Sequence, residues 1–429
     1  MVVYSESVDR LFKRYGSSYR WFLTFTVMTG AIAMGFASSM VNVAVPSVMG
    51  AFGVGFDQAQ WMATGFLASM SATMVLSSWL IEVLGQRITF IVALSVFSIG
   101  CFISATAPNI DIMILGRVMQ GAATGIGQPL AMFSIFGVFP PERRGMALGI
   151  YGLVSVLAPT IGPILGGIAI DTMSWRYLFF MPLPLCLPAF MLGLIFMPGK
   201  KLAKKLPPFD WIGMVLVCFI LFSTLSGLAN GPRWGWSSDT IVLRLLAGAV
   251  ALVVFILWEL RASYPLLDLS LFQNRQFSLT MIASFVFGAG MFSSSYFIPV
   301  FVQVIQHYSP TQAGFLLAPS GLVMMLFFPL AGRITDSVPA HVPIAVGLLV
   351  FSIGFFLTQA VDVNTTFWAL VAYTAINRVG LSLAIPSLSA AALRAVPANK
   401  LARGASSSTF FRDLGGGFGI ALLTAFFEH

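Results

Sequence analysis

Apolar residues along this chain come in blocks of about twenty, set apart by short polar stretches, with none of the sustained alternation that a half-buried strand needs. The hydrocarbon core of a bilayer, about 30 Å thick, is crossed by roughly 20 apolar residues in helical form. Blocks of that length fall at 21–45, 58–82, 88–107, 111–138, 146–170, 177–198, 210–230, 240–261, 277–304, 311–331, 342–361, 366–393 and 404–427. The pattern predicts an all-α membrane protein with thirteen transmembrane helices. Residues 1–20, MVVYSESVDRLFKRYGSSYR, lack a short apolar core followed by a small-residue cleavage site, so the first span is expected to be retained behind a cytoplasmic tail.

Composition narrows this further. Of 429 residues, 58% are hydrophobic and 9% charged, against roughly 25% charged in a soluble domain. The Gly and Pro residues fall inside the apolar blocks, where they read as packing and bending points. The net charge of +8 is spread over short loops without a continuous patch or aromatic platform, which argues against a nucleic-acid partner. A cytoplasmic N-terminus puts seventeen basic loop and tail residues inside and three, Arg176, Arg233 and Arg244, outside. That asymmetry follows the positive-inside rule and predicts a multi-pass protein of the inner (plasma) membrane. Arg117, Arg378 and Arg412 lie within apolar blocks among small residues, as expected for helix faces turned toward a bundle interior.

Catalytic chemistry finds little support. His307 and His341 fall in loops, His429 is terminal, and GASSS at 404–408 has no base partner, so no Ser/His or metal-binding constellation is evident and an enzyme is not expected. Cys101, Cys186 and Cys218 sit in apolar blocks with no paired spacing and read as packing residues. No phosphate-binding loop appears, which argues against ATP-driven transport, and no cofactor is called for.

The chain repeats itself. FDQAQWMATGFLAS (56–69) is matched by YSPTQAGFLLAPSG (308–321), SSWLIEVLGQR (77–87) by LAGRITDSVPA (330–340), and LGRVMQG (115–121) by INRVGLS (376–382). Three matches in one order predict two pseudo-symmetric helix bundles: a six-helix half at 21–198, a linker with two inserted helices at 199–262, and a C-terminal half at 263–429 with five helices. Transporters are commonly built from such repeats, with the substrate near the midplane between them. A five-helix second half is read as a truncation that lacks a fourteenth span.

Several motifs carry a family resemblance. SSWLIEVLGQR has the spacing of the major facilitator loop motif GxLxD(R/K)xGR(R/K), with Ser78 at the first Gly, Glu82 at the Asp, Gln86 at an Arg, and Leu80, Gly85 and Arg87 matching. With Gly332 and Asp336 in the second turn, it reads either as a latch of carboxylate against basic loop or as a solvated turn. VSVLAPTIGPILGG (154–167) resembles the antiporter motif of drug:proton exporters through Pro159, Gly162, Pro163, Gly166 and Gly167, although close helix packing alone explains these residue types. With SWRYLFF (174–180), KLPPFDWIG (205–213) and PLLDLSLFQNRQF (265–277), nearly the whole chain is similar to the fourteen-helix drug:proton antiporter family of the major facilitator superfamily, the EmrB/QacA type.

This resemblance implies alternating-access, proton-coupled export of a small amphiphilic substrate from the bilayer, and in a Gram-negative cell a periplasmic adaptor and outer-membrane channel as partners. It implies that Arg117, in the family's RxxQG with Gln120 and Gly121, couples protonation to conformational change. The family's first-span acid is missing: aligning Asn42, Val43, Ala44 and Pro46 places Ala37 there. Asp413 is the acid deepest in an apolar block, read either as a proton or cation site or as a neutraliser of another helix's arginine; its neighbour Arg412 is expected to face elsewhere, since adjacent helical residues diverge. Alternatively Arg117 binds an anionic substrate directly, with Arg378 opposite. Gln60, Gln120, Gln128 and Asn377 are candidates for cavity polarity, and Trp61 for an interface anchor. The alternatives in function are an exporter or facilitator of an anionic metabolite without conventional proton coupling, and a non-transporting scaffold or sensor on the same fold.

Overall fold

The computed structural model describes residues 5–140, 158, 160–199, 208–358, 361–362, 365–397 and 400–427. Pro159 lies outside them, as do the side chains of Ser78 and Asp336. The tail contains a helix that the apolar blocks do not announce, α1 (Ser5–Tyr15). Val8, Leu11, Phe12 and Tyr15, at helical spacing, lay it against the N-terminal half.

The spans follow as α2 (Tyr19–Phe52), α3 (Trp61–Thr106), α4 (Ile110–Val138), α5 (Thr160–Thr172) and α6 (Leu183–Phe196) in the first half. The inserted pair is α7 (Trp211–Trp234) and α8 (Asp239–Glu259). The second half runs α9 (Arg275–Val304), α10 (Pro310–Ser337), α11 (His341–Leu357), α12 (Phe367–Arg394) and α13 (Leu401–Phe427). Among the described residues eight helices are long and apolar enough to cross a bilayer, with α5 and α11 as shorter apolar helices. α3 holds two of the expected spans, divided at Gly85, whose φ of 78° and ψ of 167° suit only a residue without Cβ. Along α8, Leu243, Leu246, Val250, Val253 and Leu257 are exposed at helical spacing, an apolar face suited to lipid.

Depth organises the packing. If the side holding the N-terminus is the near side, the described residues form six buried apolar clusters that divide by level. One cluster joins Met40–Val48, Met62–Met74 and Trp175–Phe179 to Tyr296, Val300 and Ile420. Another joins Val43 to Val302, Ala313, Leu316 and Leu370, and a third joins Ala72 to the inserted pair and to Phe410 and Ala421. These clusters span the two halves; the first two lie toward the far ends of the helices, while the third follows the inserted pair from Ala421 through Leu221 and Phe410 to Leu267 nearer the other side. The cluster of Tyr19, Leu23, Phe90, Ile135 and Met197 belongs to the first half alone, and those around Phe277 and Phe351 belong to the second alone. Two of the three contacts between the halves therefore lie on the far side and the third follows the inserted pair, while the clusters around Tyr19, Phe277 and Phe351 stay within single bundles. Since lipid tails are as apolar as leucine, helix contact and small residues hold this arrangement rather than exclusion of water.

The connector from α8 to α9 is held by charge. Asp268 accepts from Lys400 Nζ at 2.9 Å and Arg403 Nη1 at 3.0 Å, and caps Ser270 N at 3.2 Å. Burial raises the Asp268 carboxyl, but the bonds from Ser270, Lys400 and Arg403 outweigh it and bring it down to about 2. A depressed carboxylate contributes stability that is present above its unfolded value of about 3.9 and is lost as pH falls through the folded value. Asp268→Asn is expected to melt at a lower temperature than wild type at neutral pH, with the gap closing from about pH 4 toward pH 2 in a thermal melt series. An equal gap at every pH would remove the ion pairs from the account.

Candidate functional site

α4 begins at Asn109, whose side chain accepts from Ile112 N at 3.0 Å, and two turns later it presents Arg117. A guanidinium keeps its charge at any pH the cell meets, so its burial demands acceptors. Arg117 is 1% exposed. Its Nε donates to Met62 O at 2.9 Å on α3, and its Nη1 donates to Ala37 O at 2.9 Å on α2 and to Gln120 Oε1 at 2.6 Å on its own helix. The Phe66 ring lies 4.3 Å below the guanidinium carbon, a cation–π contact. Gln120 Nε2 then reaches Ser104 Oγ at 3.5 Å. Three helices thus meet at one fixed charge. The carbonyl of Ala37 meets Arg117 at the position where the resemblance expects an acid, and the carbonyl of Met62 shares the load. Direct anion binding at Arg117 finds no opening in this conformation, and Gln120 serves the arginine instead of a cavity.

The GPxxGG segment on α5 forms a seam against both halves. A Cβ on Gly162 would collide with Ser39 Oγ of α2, one on Gly166 would press on the Met40 backbone at 3.2 Å, and one on Gly167 would collide with the Pro310 carbonyl of α10. From the other side, Gly314 of α10 faces the Pro163 carbonyl with no room for a side chain. Gly314→Val is expected to pry α10 from α5 and shift the population toward a far-side-open state, read as faster labelling of a cysteine placed at Thr311. Unchanged labelling would make the contact incidental.

Polar bonds cross the same level. Asn42 Nδ2 donates to Ser295 O at 3.3 Å, Gln303 Nε2 donates to Val43 O at 3.0 Å, and Thr311 N donates to Asp171 Oδ2 at 2.9 Å. Arg378 is half-buried and donates to Ser295 Oγ at 3.0 Å, so the second half's arginine reaches the first half through Ser295 and Asn42. Asn42 and Ser295 were not singled out from sequence; a lone amide in a small apolar run was the available signal.

Other expected residues fall elsewhere. Gln60 is buried at the far end beside Asp57 O, and Asn377 is buried where Gly354 packs closely, while Gln128 is half-buried. Trp61 packs against the inserted pair and α13. In the loop motif, Gln86 accepts from Ser134 Oγ at 2.8 Å, and Arg87 Nε donates to Met197 O at 2.8 Å, tying the turn to the end of α6. Glu82 is exposed, and Gly332 has open space beside it. Cys218 is exposed on α7, not packed as expected. Arg412 and Asp413 also correct the sequence reading: Arg412 Nε pairs with Asp413 Oδ1 at 3.0 Å, because a long arginine stem folds back across the angle that separates adjacent helical positions. Asp413 is fully buried, and Arg412 borders a small cleft that is also lined by Ser284, Phe287, Leu388 and Ser408.

Residues 27–420 match the family model described as Major Facilitator Superfamily. The chain belongs to the major facilitator superfamily. Its relatives include the MFS-type transporter YcnB of Bacillus subtilis, 30% identical over 93% of this chain and 84% of that protein. They also include the Multidrug export protein EmrB of Haemophilus influenzae, 28% identical over 90% of this chain and 76% of that protein. In shape the chain is similar to a peptide transporter POT solved with sulfate, with a TM-score of 0.70 and 15% identity, covering 95% of this chain and 88% of that one. This facilitator-superfamily transporter is thus of the EmrB/QacA type, with the inserted pair α7–α8 between its two halves.

Proposed function

We propose that the protein exports small amphiphilic molecules by alternating access, driven by the proton gradient and without a bound cofactor. One observation carries the reading: two of the clusters that join the halves lie on the far side, while the clusters around Tyr19 and Phe277, nearest the N-terminal side, stay within single bundles. Bundles held together more on the far side than on the near side are what one state of a rocking transporter requires. Gly167 of α5 and Gly314 of α10 let the two backbones approach closely at the far seam, which suits a contact that must part and re-form. The relatives named as multidrug exporters support an amphiphilic substrate. Asp413, buried beside Arg412, is the acid assigned to proton binding, because an intramembrane carboxylate is costly unless it is used.

A second reading is favoured by Ala37: an arginine held by carbonyls in place of an acid fits an exporter of anionic metabolites without conventional proton coupling. Dye efflux from proteoliposomes separates them. Efflux driven by an imposed pH gradient and lost in Asp413→Asn supports the first. Efflux of organic anions indifferent to the gradient supports the second and removes the first.

A further inference from the structure

The inserted pair carries a carboxyl pair that the transport reading does not use. Asp210 caps α7 and Glu259 ends α8, so both lie at the near end of the pair. Each carboxyl has one oxygen fully engaged: Asp210 Oδ1 accepts from Gly213 N and Trp258 Nε1, both at 2.8 Å, and Glu259 Oε2 accepts from Leu267 N at 3.1 Å. The remaining oxygens, Asp210 Oδ2 and Glu259 Oε1, are buried without a donor. They converge: a Cβ on Gly213 would sit 2.5 Å from the first and 2.7 Å from the second, and the two carboxyls are within hydrogen-bonding reach. Glu259 is only 3% exposed.

Ionised carboxylates accept hydrogen bonds and cannot donate them, so two such oxygens facing each other repel. One proton between them turns the repulsion into an O–H···O bond, the arrangement known for paired acids that cannot both ionise. The surroundings supply no compensating cation among the described residues. Asp210 is the charged group coupled to Glu259, while Arg261 is exposed and Asp268 is committed to Lys400 and Arg403. From α3, Trp79 packs its ring on Phe209 and Trp211, and Glu82 is exposed. Lys200, Lys201, Lys204 and Lys205 precede the site outside the described residues.

We infer that Asp210 and Glu259 together bind one proton, forming a proton-binding site at the near end of the inserted pair. The site is mechanically placed. Glu259 holds Leu267, the next residue is Asp268, and Asp268 holds Lys400 and Arg403 at the start of α13. Loss of the proton pushes α7 and α8 apart at this end and slackens the connector into the second half.

Infrared spectra of the full-length protein across a pH series test this, with Glu259→Gln and Asp210→Asn as near-isosteric variants. The amide of Glu259→Gln can donate to Asp210, so this variant keeps the pair bonded without a proton. Wild type is expected to show a protonated-carboxyl carbonyl band that persists above the ordinary carboxylate range, disappears on alkalinisation and is missing from both variants. Over the same pH range the wild-type melting temperature falls by several degrees, while that of Glu259→Gln stays flat. A band equally present in both variants, or a wild-type melt that does not respond to pH where Glu259→Gln also does not, overturns the site. Stabilisation by sodium or potassium at constant alkaline pH, absent from Glu259→Gln, would make it a metal-cation site and also overturn it. Both measurements read protonation and not efflux, so their failure is distinct from failure of the transport reading.

Discussion

Arg117→Lys is expected to reduce efflux to background while leaving the bundle folded. The guanidinium bridges Ala37 O on α2, Met62 O on α3 and Gln120 Oε1 on α4 with Phe66 beneath it, a planar array of donors matched to acceptors on three helices. An ammonium is a compact point charge on a flexible stem, and it can keep the charge but not the fork. The two carbonyls keep their helical bonds, but a misplaced ammonium leaves Gln120 Oε1 without its donor, at a cost of about 1–3 kcal/mol. Arg117→Ala also removes the charge, the Phe66 contact and the buried side-chain volume, so its loss of stability is larger, on the order of 3 kcal/mol. Thermal melts beside dye efflux check both. A lysine variant that transports at the wild-type rate would reduce Arg117 to a packing residue with a charge.

Ala37→Asp is expected to couple strongly to Arg117. Residue 37 already touches the guanidinium through its carbonyl at 2.9 Å, so a carboxylate on the same residue lies within short range of a fixed, buried positive charge. Alone, the substitution should be tolerated and should make efflux depend more steeply on the pH gradient. In an Arg117→Met background the same carboxylate has no counter-charge and should destabilise markedly. A double-mutant cycle on thermal stability is predicted to give a coupling of about 1–3 kcal/mol. Strict additivity would place the two side chains out of contact.

Particular residues show how far the fold was legible. The bilayer forces every span to be long and apolar, so the helices could be counted from the chain, and the repeated turns marked the two halves. Gly85 was legible as a match to the loop motif, but its positive φ, which divides α3, was not. The partners of Arg117 were not, because two of them are carbonyls, which every residue carries and no sequence pattern distinguishes. Gln120 was noticed but misplaced, since three residues along a helix put it beside the arginine instead of the cavity. The Arg412–Asp413 pair was missed by treating side-chain direction as fixed at Cα, when an arginine stem has the length to return. The Asp210–Glu259 pair lies forty-nine positions apart at the two ends of a helical hairpin, and only the hairpin brings it together.

Alternating access requires the far-side seam to open, and this can be tested on one pair of residues. Asn42 and Ser295 meet across the two halves, so Asn42→Cys with Ser295→Cys, in a background carrying Cys218→Ser, places a thiol on each side of the seam. Efflux from proteoliposomes is measured before linking the two thiols with a short reducible crosslinker, after linking them, and after reduction. The predicted result is transport that stops on crosslinking and returns on reduction. Transport continuing at the uncrosslinked rate with the seam held shut would contradict the account.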